Sequence, residues 1–490
     1  MNLVLSLSSA LLLILIFPRF DLTWLAPVAL APLLIACARE FSWKKRFLYG
    51  WAAGFVFWFG ICYWIQFVLQ VHGGLSFWLS WTTFFLFAIL KGLHLAIFAA
   101  LAGFLMYRWW AIPAVAALWT GIERTHGTFG FAWLDLGNAG INMPLAMRLA
   151  PVTGVYGLSF VFAAIACAVA LIVVRRPRRE LAWLAALLVI PILPALPAPA
   201  APTAKVQVVQ PDIDTEADWT TASLAQEERE MAALSRDPGV PLIVWPEAPA
   251  PFYPSDPSFR GFVGYVARDS HSYLLFGGVG RTPQGAPLNS AFLVGPDGNI
   301  LDRYDKIKLV PFGEFVPPPF GWVNRITHEA GDFVPGSRIV VFPVDGHRVG
   351  TFICYESAFP NLVRQFARGG AQVLMNLSND GYFGKSAARE QHLELVRMRA
   401  AENRRWILRA TNDGITAMID PRGRVTDVLQ PYHELAAAMQ YGYVSQVTPY
   451  AQYGDLFAWG CLIVGLGAVA GTRFRKIMSF PHAQAGRRSV

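Results

Sequence analysis

Cys354 is set apart from the other cysteines of the chain by its surroundings. Four cysteines lie inside long apolar runs, namely Cys37, Cys62, Cys167 and Cys461. Cys354 instead ends an apolar, strand-like segment, VGTFICYESAFP, and is followed by Tyr355 and Glu356. A free thiol has a pKa of about 8.5, so a cysteine nucleophile needs a neighbouring base or cation at neutral pH. The alternative is a small buried hydrophobe, a common role of unpaired cysteines.

Three other segments end apolar runs on the polar groups that such a nucleophile needs. IVWPEAP places Glu247 just past a strand-like run, and RYDKIKLVPFGEFVP supplies Lys306 and Glu314. MNLSNDGYFG supplies Asn379 and Asp380. A carboxylate can act as general base towards a thiol, and an ammonium group can stabilise an oxyanion. Together these residues predict covalent catalysis through a cysteine, although each charge taken alone is also compatible with a solvated strand end.

The elements that must position these residues belong to one region of mixed secondary structure. It follows a Pro/Ala-rich linker, ALPAPAAPTA, and alternates short β-rich runs with polar helical patterns. GPDGN and DPRGR are hairpin turn signals. Strands alternating with helices, with hairpins among them, predict a mixed-sheet α/β sandwich at residues 203–450. A domain of about 250 residues can bury its own core.

The rest of the chain has the composition of a membrane protein. Of 490 residues, 54% are hydrophobic and only 15% are charged. A polytopic helical bundle is therefore predicted at residues 1–196, followed after the sandwich by a last membrane helix at 456–472 and a tail at 473–490. About eight apolar segments are predicted to span the membrane, and they are Leu3–Phe17, Trp24–Ala38, Phe47–Leu69, Leu75–Tyr107, Ala111–Ile122, Leu149–Val174, Leu181–Leu196 and Leu456–Thr472.

Basic residues mark the loops that follow every second predicted span. The other short loops carry only Arg19, Arg124 and Arg148. The positive-inside rule then predicts that both termini and the tail are cytoplasmic and that residues 197–455 lie on the outer, periplasmic side. The net charge of +8 is explained as a topology signal, and no nucleic-acid partner is predicted. The marked positions are Arg39, Lys44, Lys45, Arg46, Arg108, Arg175, Arg176, Arg178, Arg179, Arg473, Arg475 and Lys476.

The order of the motifs resembles a known enzyme family. VWPE, YDKIKLVPFGEFVP and CYE, in that order, resemble the Glu–Lys–Cys triad of the nitrilase (carbon–nitrogen hydrolase) superfamily. Their combination with membrane spans is similar to the apolipoprotein N-acyltransferases of Gram-negative bacteria. The resemblance extends over nearly the whole chain and includes GTFGFAWLDLGNAG, LAPVTGVYGLSF, SNDGYFG and RATNDGIT. It implies an αββα sandwich and a multi-pass protein of the bacterial inner membrane.

The resemblance also implies a substrate and a catalytic role for each member of the triad. Glu247 takes the thiol proton of Cys354, which attacks an acyl ester of a membrane phospholipid. Lys306, with a backbone N–H near Tyr355, stabilises the oxyanion. The α-amino group of the diacylglyceryl-cysteine of an apolipoprotein then takes the acyl chain from the thioester, in a ping-pong scheme. The resemblance favours Lys306 over Lys308, which points to the same side of a strand.

Further residues are expected to assist. Glu314 is expected to orient Lys306, and Glu356 either supports the chemistry or closes a structural ion pair. Three residues are substrate-binding candidates; two of them, Trp219 and Asn289, match family positions near the acyl site, as Tyr355 does, although core aromatics and a turn residue are the alternatives. These three candidates are Trp219, Asn289 and Tyr382.

The chain departs from the family pattern at two places outside the triad. Ala132 stands where a proline is usual, and Gly381 with Tyr382 stands where Ala-Trp is usual. Both departures bear on lipid or substrate contacts and leave the chemistry unchanged. Lys91 and His94 lie near the middle of the fourth predicted span, where a charge usually faces the bundle interior or a water-filled cavity. A structural contact and a functional role are both open for this pair.

No metal and no cofactor are predicted. The histidines of the sandwich lack metal-ligand spacing, and GGVGRTPQG lacks the glycine spacing of a dinucleotide-binding loop. The main alternative function is a membrane-tethered amidase of the nitrilase type, which would share the triad. A transporter with an accessory domain is a third alternative. The small number of intramembrane charges and the lack of an evident internal repeat argue against it. Residues 323–336 are predicted to form a lid over the site.

Overall fold

The computed structural model describes residues 1–128, 131–215, 217, 219–236, 239–315 and 333–478. Within this part of the chain, helices make up a helical region at residues 1–192 and 449–478, and two β-sheets with flanking helices make up an α/β region at residues 204–441. Residues 323–332 of the predicted lid and residues 479–490 of the predicted tail lie outside the described residues.

The α/β region contains two six-stranded sheets among the residues that the structure describes. Its strands are β1 (Ala204–Gln210), β2 (Leu242–Val244), β3 (Tyr273–Arg281), β4 (Pro287–Val294), β5 (Ile300–Asp305), β6 (Val341–Val344), β7 (His347–Ile353), β8 (Val373–Ser378), β9 (Ile407–Thr411), β10 (Ala417–Ile419), β11 (Val425–Val428) and β12 (Leu435–Tyr441). The first sheet has the order β12-β1-β2-β3-β4-β5, and the second has the order β11-β10-β9-β8-β7-β6. Strands β1, β2 and β3 are parallel, as are β7, β8 and β9, and the outer strands are antiparallel.

The helices frame these sheets and build the helical region. They are α1 (Asn2–Leu15), α2 (Ala31–Arg39), α3 (Trp43–Ile61), α4 (Trp64–Val71), α5 (Phe77–Leu105), α6 (Ala111–Arg124), α7 (Ala150–Thr153), α8 (Val155–Val173), α9 (Thr221–Leu234), α10 (Pro257–Asp269), α11 (Pro360–Arg368), α12 (Ala388–Asn403), α13 (Pro449–Tyr453) and α14 (Leu456–Met478). Helix α10 packs on the first sheet, and α11 and α12 pack on the second.

The apolar residues of the first sheet are divided between two cores by the period-two alternation of strands. Leu242 and Val244 of β2 belong to the large core between the sheets, whereas Ile243 belongs to a smaller core with Phe259 and Val263 of α10. Strand β4 contacts β7 across the sandwich. The layers therefore follow the predicted order of helix, sheet, sheet and helix.

Each of the apolar segments predicted as a span is largely helical. By length and composition, α5 and α8 can each cross a membrane, and α3 with α4, which are bent by 59° at their junction, can form a third span. The other segments form shorter helices, and the seventh is a 3-10 helix at Arg178–Ile192 instead of an α-helix. An N-terminal region of apolar helices is thus present, while the number of about eight spans stays a prediction.

Helix α12 joins the α/β region to the helical region and is buried along most of its length. Its Gln391 donates from Nε2 to the carbonyl of Pro18 at 3.0 Å and accepts from Nε1 of Trp133 at 2.7 Å. At its other end, Oε1 of Glu402 accepts from the backbone N–H of Val155 at 2.9 Å. Because its residues face sheet and bundle alike, α12 lacks the single apolar stripe of a surface helix.

Candidate active site

The candidate site lies where strands of both sheets end. Glu247 follows β2 after two residues, Lys306 follows β5 directly, and Cys354 follows β7 directly. The β-branched and aromatic residues of these runs form the strands, and the polar residues come where the pairing stops. The two sheets also contact each other through β4 and β7.

Lys306 lies between two carboxylates. Its Nζ is 3.0 Å from Oε1 of Glu247 and 3.0 Å from Oε1 of Glu314, and its side chain is only 1% exposed. Burial lowers the pKa of the Lys306 ammonium, but the two carboxylates outweigh burial and hold that pKa well above its ordinary value. Lys308, the alternative cation, is exposed and lies over the ring of Phe359, 5.4 Å from the centroid. The position of Lys306 is that of a group whose charge is fixed at neutral pH.

Both oxygens of the Glu247 carboxylate accept hydrogen bonds. Oε1 accepts from Nδ2 of Asn289 at 2.8 Å in addition to Lys306, and Oε2 accepts from the backbone N–H of Asn379 at 3.1 Å. Nδ2 of Asn289 also donates to Oε1 of Glu314 at 2.5 Å. Asn289, predicted as a substrate-binding residue, therefore orients the two carboxylates here, and its contact with substrate stays a prediction.

Cys354 is buried, with 8% exposure, and its backbone φ of +48° lies in the left-handed region. Burial raises the pKa of the Cys354 thiol above its ordinary value, Glu247 raises it further, and Lys306 opposes them. The thiol is therefore protonated at neutral pH. A nucleophile of this kind reacts only if a base removes its proton as it attacks, and Glu247 is the carboxylate with the largest influence on it.

Glu356 connects the segment after β7 with the segment after β5. Its Oε1 accepts from the hydroxyl of Tyr304 at 2.8 Å and from the backbone N–H groups of Ile307 at 2.7 Å and Lys308 at 3.1 Å. Its Oε2 accepts from the backbone N–H of Ile353 at 2.8 Å. These contacts join the segment of Cys354 to the segment of Lys306, and among the described residues they are hydrogen bonds from neutral groups and not an ion pair.

We expect Glu356→Gln to lower the free energy of unfolding by about 1–3 kcal/mol. All four contacts of the Glu356 carboxylate are donors, so the amide group of glutamine would place a donor against a buried donor. Thermal unfolding of the purified protein in detergent measures the change. Glu434→Gln, at an exposed position of the same region, is the matched control and is expected to unfold as the wild type does. Equal midpoints for all three proteins would contradict the prediction.

A loop of the helical region reaches Tyr355. The backbone N–H of Ala132 donates to the hydroxyl of Tyr355 at 3.0 Å, and the Phe131 ring stacks on the Tyr355 ring with centroids 5.4 Å apart. Lys91 holds the same loop, because its Nζ donates to the carbonyl of Phe131 at 2.9 Å. A proline at position 132, as expected from the family pattern, has no N–H to donate. His94 packs edge-on against the ring of His126, with centroids 4.4 Å apart.

The two aromatic substrate-binding candidates have different surroundings. Trp219 packs against the smaller core of the first sheet, whereas Cys354 belongs to the larger core. Tyr382 is 47% exposed, and its ring lies 4.6 Å from that of His72, which follows α4. Burial first, and then Glu247, raise the pKa of Tyr382 to about 12. Tyr382 thus lies against His72 of the helical region, and Trp219 packs against a different core from that of Cys354.

Comparisons with known proteins agree with this architecture. The carbon–nitrogen hydrolase family model matches residues 203–449, and the model of the apolipoprotein N-acyltransferase N-terminal domain matches residues 9–168. An apolipoprotein N-acyltransferase of Geobacter metallireducens is 33% identical, with 96% of this chain and 94% of that protein covered. The chain belongs to the apolipoprotein N-acyltransferase family. Another relative of that name, from Pseudomonas putida, is 32% identical, with 96% of each chain covered.

Solved structures resemble somewhat more than half of the chain. An amidase of the nitrilase superfamily from Nesterenkonia is 20% identical, with 52% of this chain and 95% of that chain covered and a TM-score of 0.39. A nitrilase-superfamily protein of Saccharomyces cerevisiae is 18% identical, with 58% and 97% covered and a TM-score of 0.39. The N-acyltransferase family membership rests on the sequence relatives, whose similarity includes the helical region.

The structure adds two residues to the site that the sequence analysis left out. His392 and Arg409 are fully buried around Asp380, which the SNDGYFG motif had singled out. His392 has no metal-ligand spacing to the other histidines of the sandwich, so its own position in the sequence does not single it out. A usable signal is the charged Arg409 inside the apolar run of β9, since a buried charge requires a buried partner.

Proposed function

We propose that this protein transfers a fatty acyl chain from a membrane phospholipid to the α-amino group of the N-terminal diacylglyceryl-cysteine of apolipoproteins, through a thioester on Cys354. The observation that carries the proposal is a buried cysteine at the end of β7 together with a carboxylate, Glu247, that is paired at 3.0 Å with the buried Lys306. Membership of the N-acyltransferase family supplies the class of substrate.

In the first half-reaction, the phospholipid acylates Cys354. The Glu247 carboxylate takes the thiol proton while Sγ attacks the ester carbon, and the carbonyl electrons move to oxygen. Lys306 and the backbone N–H of Tyr355 stabilise that oxyanion. The tetrahedral intermediate collapses, the carbon–oxygen bond to glycerol breaks, and the leaving oxygen takes the proton from Glu247. Lysophospholipid leaves and the acyl thioester remains.

In the second half-reaction, the acceptor amine attacks the thioester carbon. Glu247, again a carboxylate, takes a proton from the attacking nitrogen, and the same donors stabilise the second oxyanion. The carbon–sulfur bond breaks, and the sulfur of Cys354 recovers its proton from Glu247. The N-acylated lipoprotein leaves, and the enzyme returns to its starting state, as ping-pong kinetics require.

The proposal includes an arrangement in the membrane. We infer about eight spans, both termini in the cytoplasm and the α/β region on the periplasmic side of the inner membrane, as the distribution of lysine and arginine suggests. Both lipid substrates would then reach Cys354 laterally from the outer leaflet. Tyr382, which is half-exposed, is the best placed of the three proposed substrate-binding residues. Asn289 would act mainly by holding the carboxylates of Glu247 and Glu314. Trp219 packs against the smaller core of the first sheet and would contact a substrate from there.

Intact mass spectrometry of the full-length protein with phospholipid tests the proposal. The wild type is expected to gain the mass of one fatty acyl group and to lose it on addition of a diacylated lipopeptide. Cys354→Ala should gain no mass, and Cys354→Ser should form an ester more slowly, because serine is the weaker nucleophile. Cys461→Ala, in an apolar helix, is the matched control and should behave as the wild type.

The alternative function, a membrane-tethered amidase, predicts a different outcome. A folded wild-type protein that gains no acyl mass, releases no lysophospholipid and instead hydrolyses small amides would replace the proposal with that alternative. Acylation of both Cys354→Ala and the wild type would show that the acyl group resides elsewhere, and would overturn the role of Cys354.

A further inference from the structure

Cys354 adopts a backbone conformation that needs support. Its φ of +48° is in the left-handed region, which a residue with a side chain rarely occupies. On its N-terminal side, Glu356 accepts from the N–H of Ile353 at 2.8 Å. On its C-terminal side, the carbonyl of Cys354 itself is contacted by Nε2 of His392 at 3.0 Å. The peptide group that joins Cys354 to Tyr355 is thus held by a side chain of α12.

The proton on His392 is placed by its neighbours. A carbonyl oxygen only accepts, so the contact with Cys354 requires the proton on Nε2. Nδ1 lies 3.3 Å from Nη2 of Arg409, which can only donate, and 3.2 Å from Oδ1 of Asp380. Burial lowers the pKa of His392, and Arg409 lowers it further, which favours the neutral ring. The Nε2 proton that is donated to the carbonyl of Cys354 is present both in this neutral tautomer and in the doubly protonated ring, so the contact holds in either state.

The partners of His392 are fixed in turn. Asp380 Oδ2 accepts from Arg409, and Asp380 Oδ1 accepts from the hydroxyl of Ser378 at 3.0 Å. His392, Asp380 and Arg409 are each fully buried. The residue between Ser378 and Asp380 is Asn379, whose N–H binds Glu247. One buried network therefore supports both the backbone at Cys354 and the carboxylate opposite it.

We propose that His392 is a positioning residue that aims the backbone N–H of Tyr355 at the acyl oxygen. In a planar trans peptide, the carbonyl and the following N–H point in opposite directions. By holding the carbonyl of Cys354 from the α12 side, His392 directs that N–H towards the substrate side. The inference rests on the proposed acyl transfer through Cys354, and it gives His392 of α12 the role of aiming one of the two proposed oxyanion donors, the N–H of Tyr355.

Two substitutions separate this role from a structural one. His392→Phe keeps an aromatic ring among Trp133 and Phe383 but removes the donor, whereas His392→Gln keeps an N–H at nearly the place of Nε2. Because loss of a whole oxyanion donor costs about 10²- to 10³-fold, a donor that is misaimed in His392→Phe is expected to slow both half-reactions by about ten- to a hundredfold. His392→Gln should retain most of the wild-type rate in both.

Three rates are measured for each protein. They are the rate of acyl-mass gain from phospholipid, the rate of acyl transfer to a diacylated lipopeptide, and the rate of alkylation of Cys354 by iodoacetamide. Alkylation forms no oxyanion, so its rate should be unchanged in both variants. His347→Phe, at the opposite end of β7, is the matched control and should leave all three rates unchanged. The inference is overturned if His392→Phe acylates as fast as the wild type, if alkylation slows with acylation by the same factor, or if His392→Gln is as slow as His392→Phe. A wild type that gains no acyl mass would overturn the proposed function instead.

Discussion

Glu247→Gln is expected to slow acylation of Cys354 by about 10²- to 10⁴-fold, the usual contribution of a general base. The buried thiol is protonated at neutral pH, and glutamine cannot take its proton. In addition, both oxygens of Glu247 accept from donors, Lys306 and Asn289 on one side and the N–H of Asn379 on the other. The amide group of glutamine must therefore oppose one of these donors. The rate of acyl-mass gain from phospholipid measures the loss.

Glu247→Gln is also expected to make the Cys354 thiol easier to deprotonate, even though it slows acylation. Glu247 is one of the causes that raise the pKa of the Cys354 thiol, and Lys306 opposes it. Without the carboxylate, that pKa falls, and the thiolate forms at a lower pH than in the wild type. The midpoint of the pH profile for alkylation by iodoacetamide should therefore move down. A variant with slow acylation and an unchanged or higher midpoint would argue against Glu247 as the neighbour that controls this thiol.

Lys306→Met is expected to slow acylation of Cys354 by about 10²- to 10³-fold, because an oxyanion donor is lost. It also leaves the Glu247 and Glu314 carboxylates facing each other without their cation. Breaking a buried ion pair from one side costs about 3–5 kcal/mol, so the unfolding midpoint should fall as well. Because the carboxylates raise the pKa of Lys306 far above neutrality, this contribution is present at neutral pH and is lost only as pH rises through that high value.

Lys308→Met is the matched control for this prediction. The side chain of Lys308 is exposed, and its ammonium group lies over the face of Phe359. A surface contact of this kind contributes about 0.5–1 kcal/mol, so acylation and the unfolding midpoint should stay close to those of the wild type. If Lys308→Met loses acylation while Lys306→Met keeps it, the assignment of the cation is wrong.

The sequence predicts the ends of strands well, because strand ends are marked locally. VGTFI runs directly into Cys354, and LIVW is followed by Pro246 and then Glu247; in the structure the first strand ends at Ile353 and the second at Val244, so both site residues lie just past a strand end. Lys306 and Lys308 differ less in sequence. Their separation into one buried and one exposed lysine depends on the carboxylate of Glu314, which the strand pattern alone does not place.

Residues that act across the layers were harder to predict. His392 lies on a helix buried against both a sheet and the bundle, so no apolar stripe indicates which of its faces points at Cys354. The contact of Ala132 with Tyr355 joins residues 223 positions apart through a backbone N–H, which carries no side-chain signal. Hydropathy likewise finds the apolar segments but cannot foresee the 59° bend between α3 and α4.

Because α12 is buried against the helical region, the α/β region cannot be separated from it without exposing this helix. Two polar side chains of α12 form hydrogen bonds with the helical region. Gln391 bonds to Pro18 and Trp133, and Glu402 bonds to the N–H of Val155. A fragment cut at the Pro/Ala linker would bring these polar groups and their apolar neighbours into water on the helix that carries His392. Excision or transplantation of residues 203–450 would therefore disturb the reactive centre through α12.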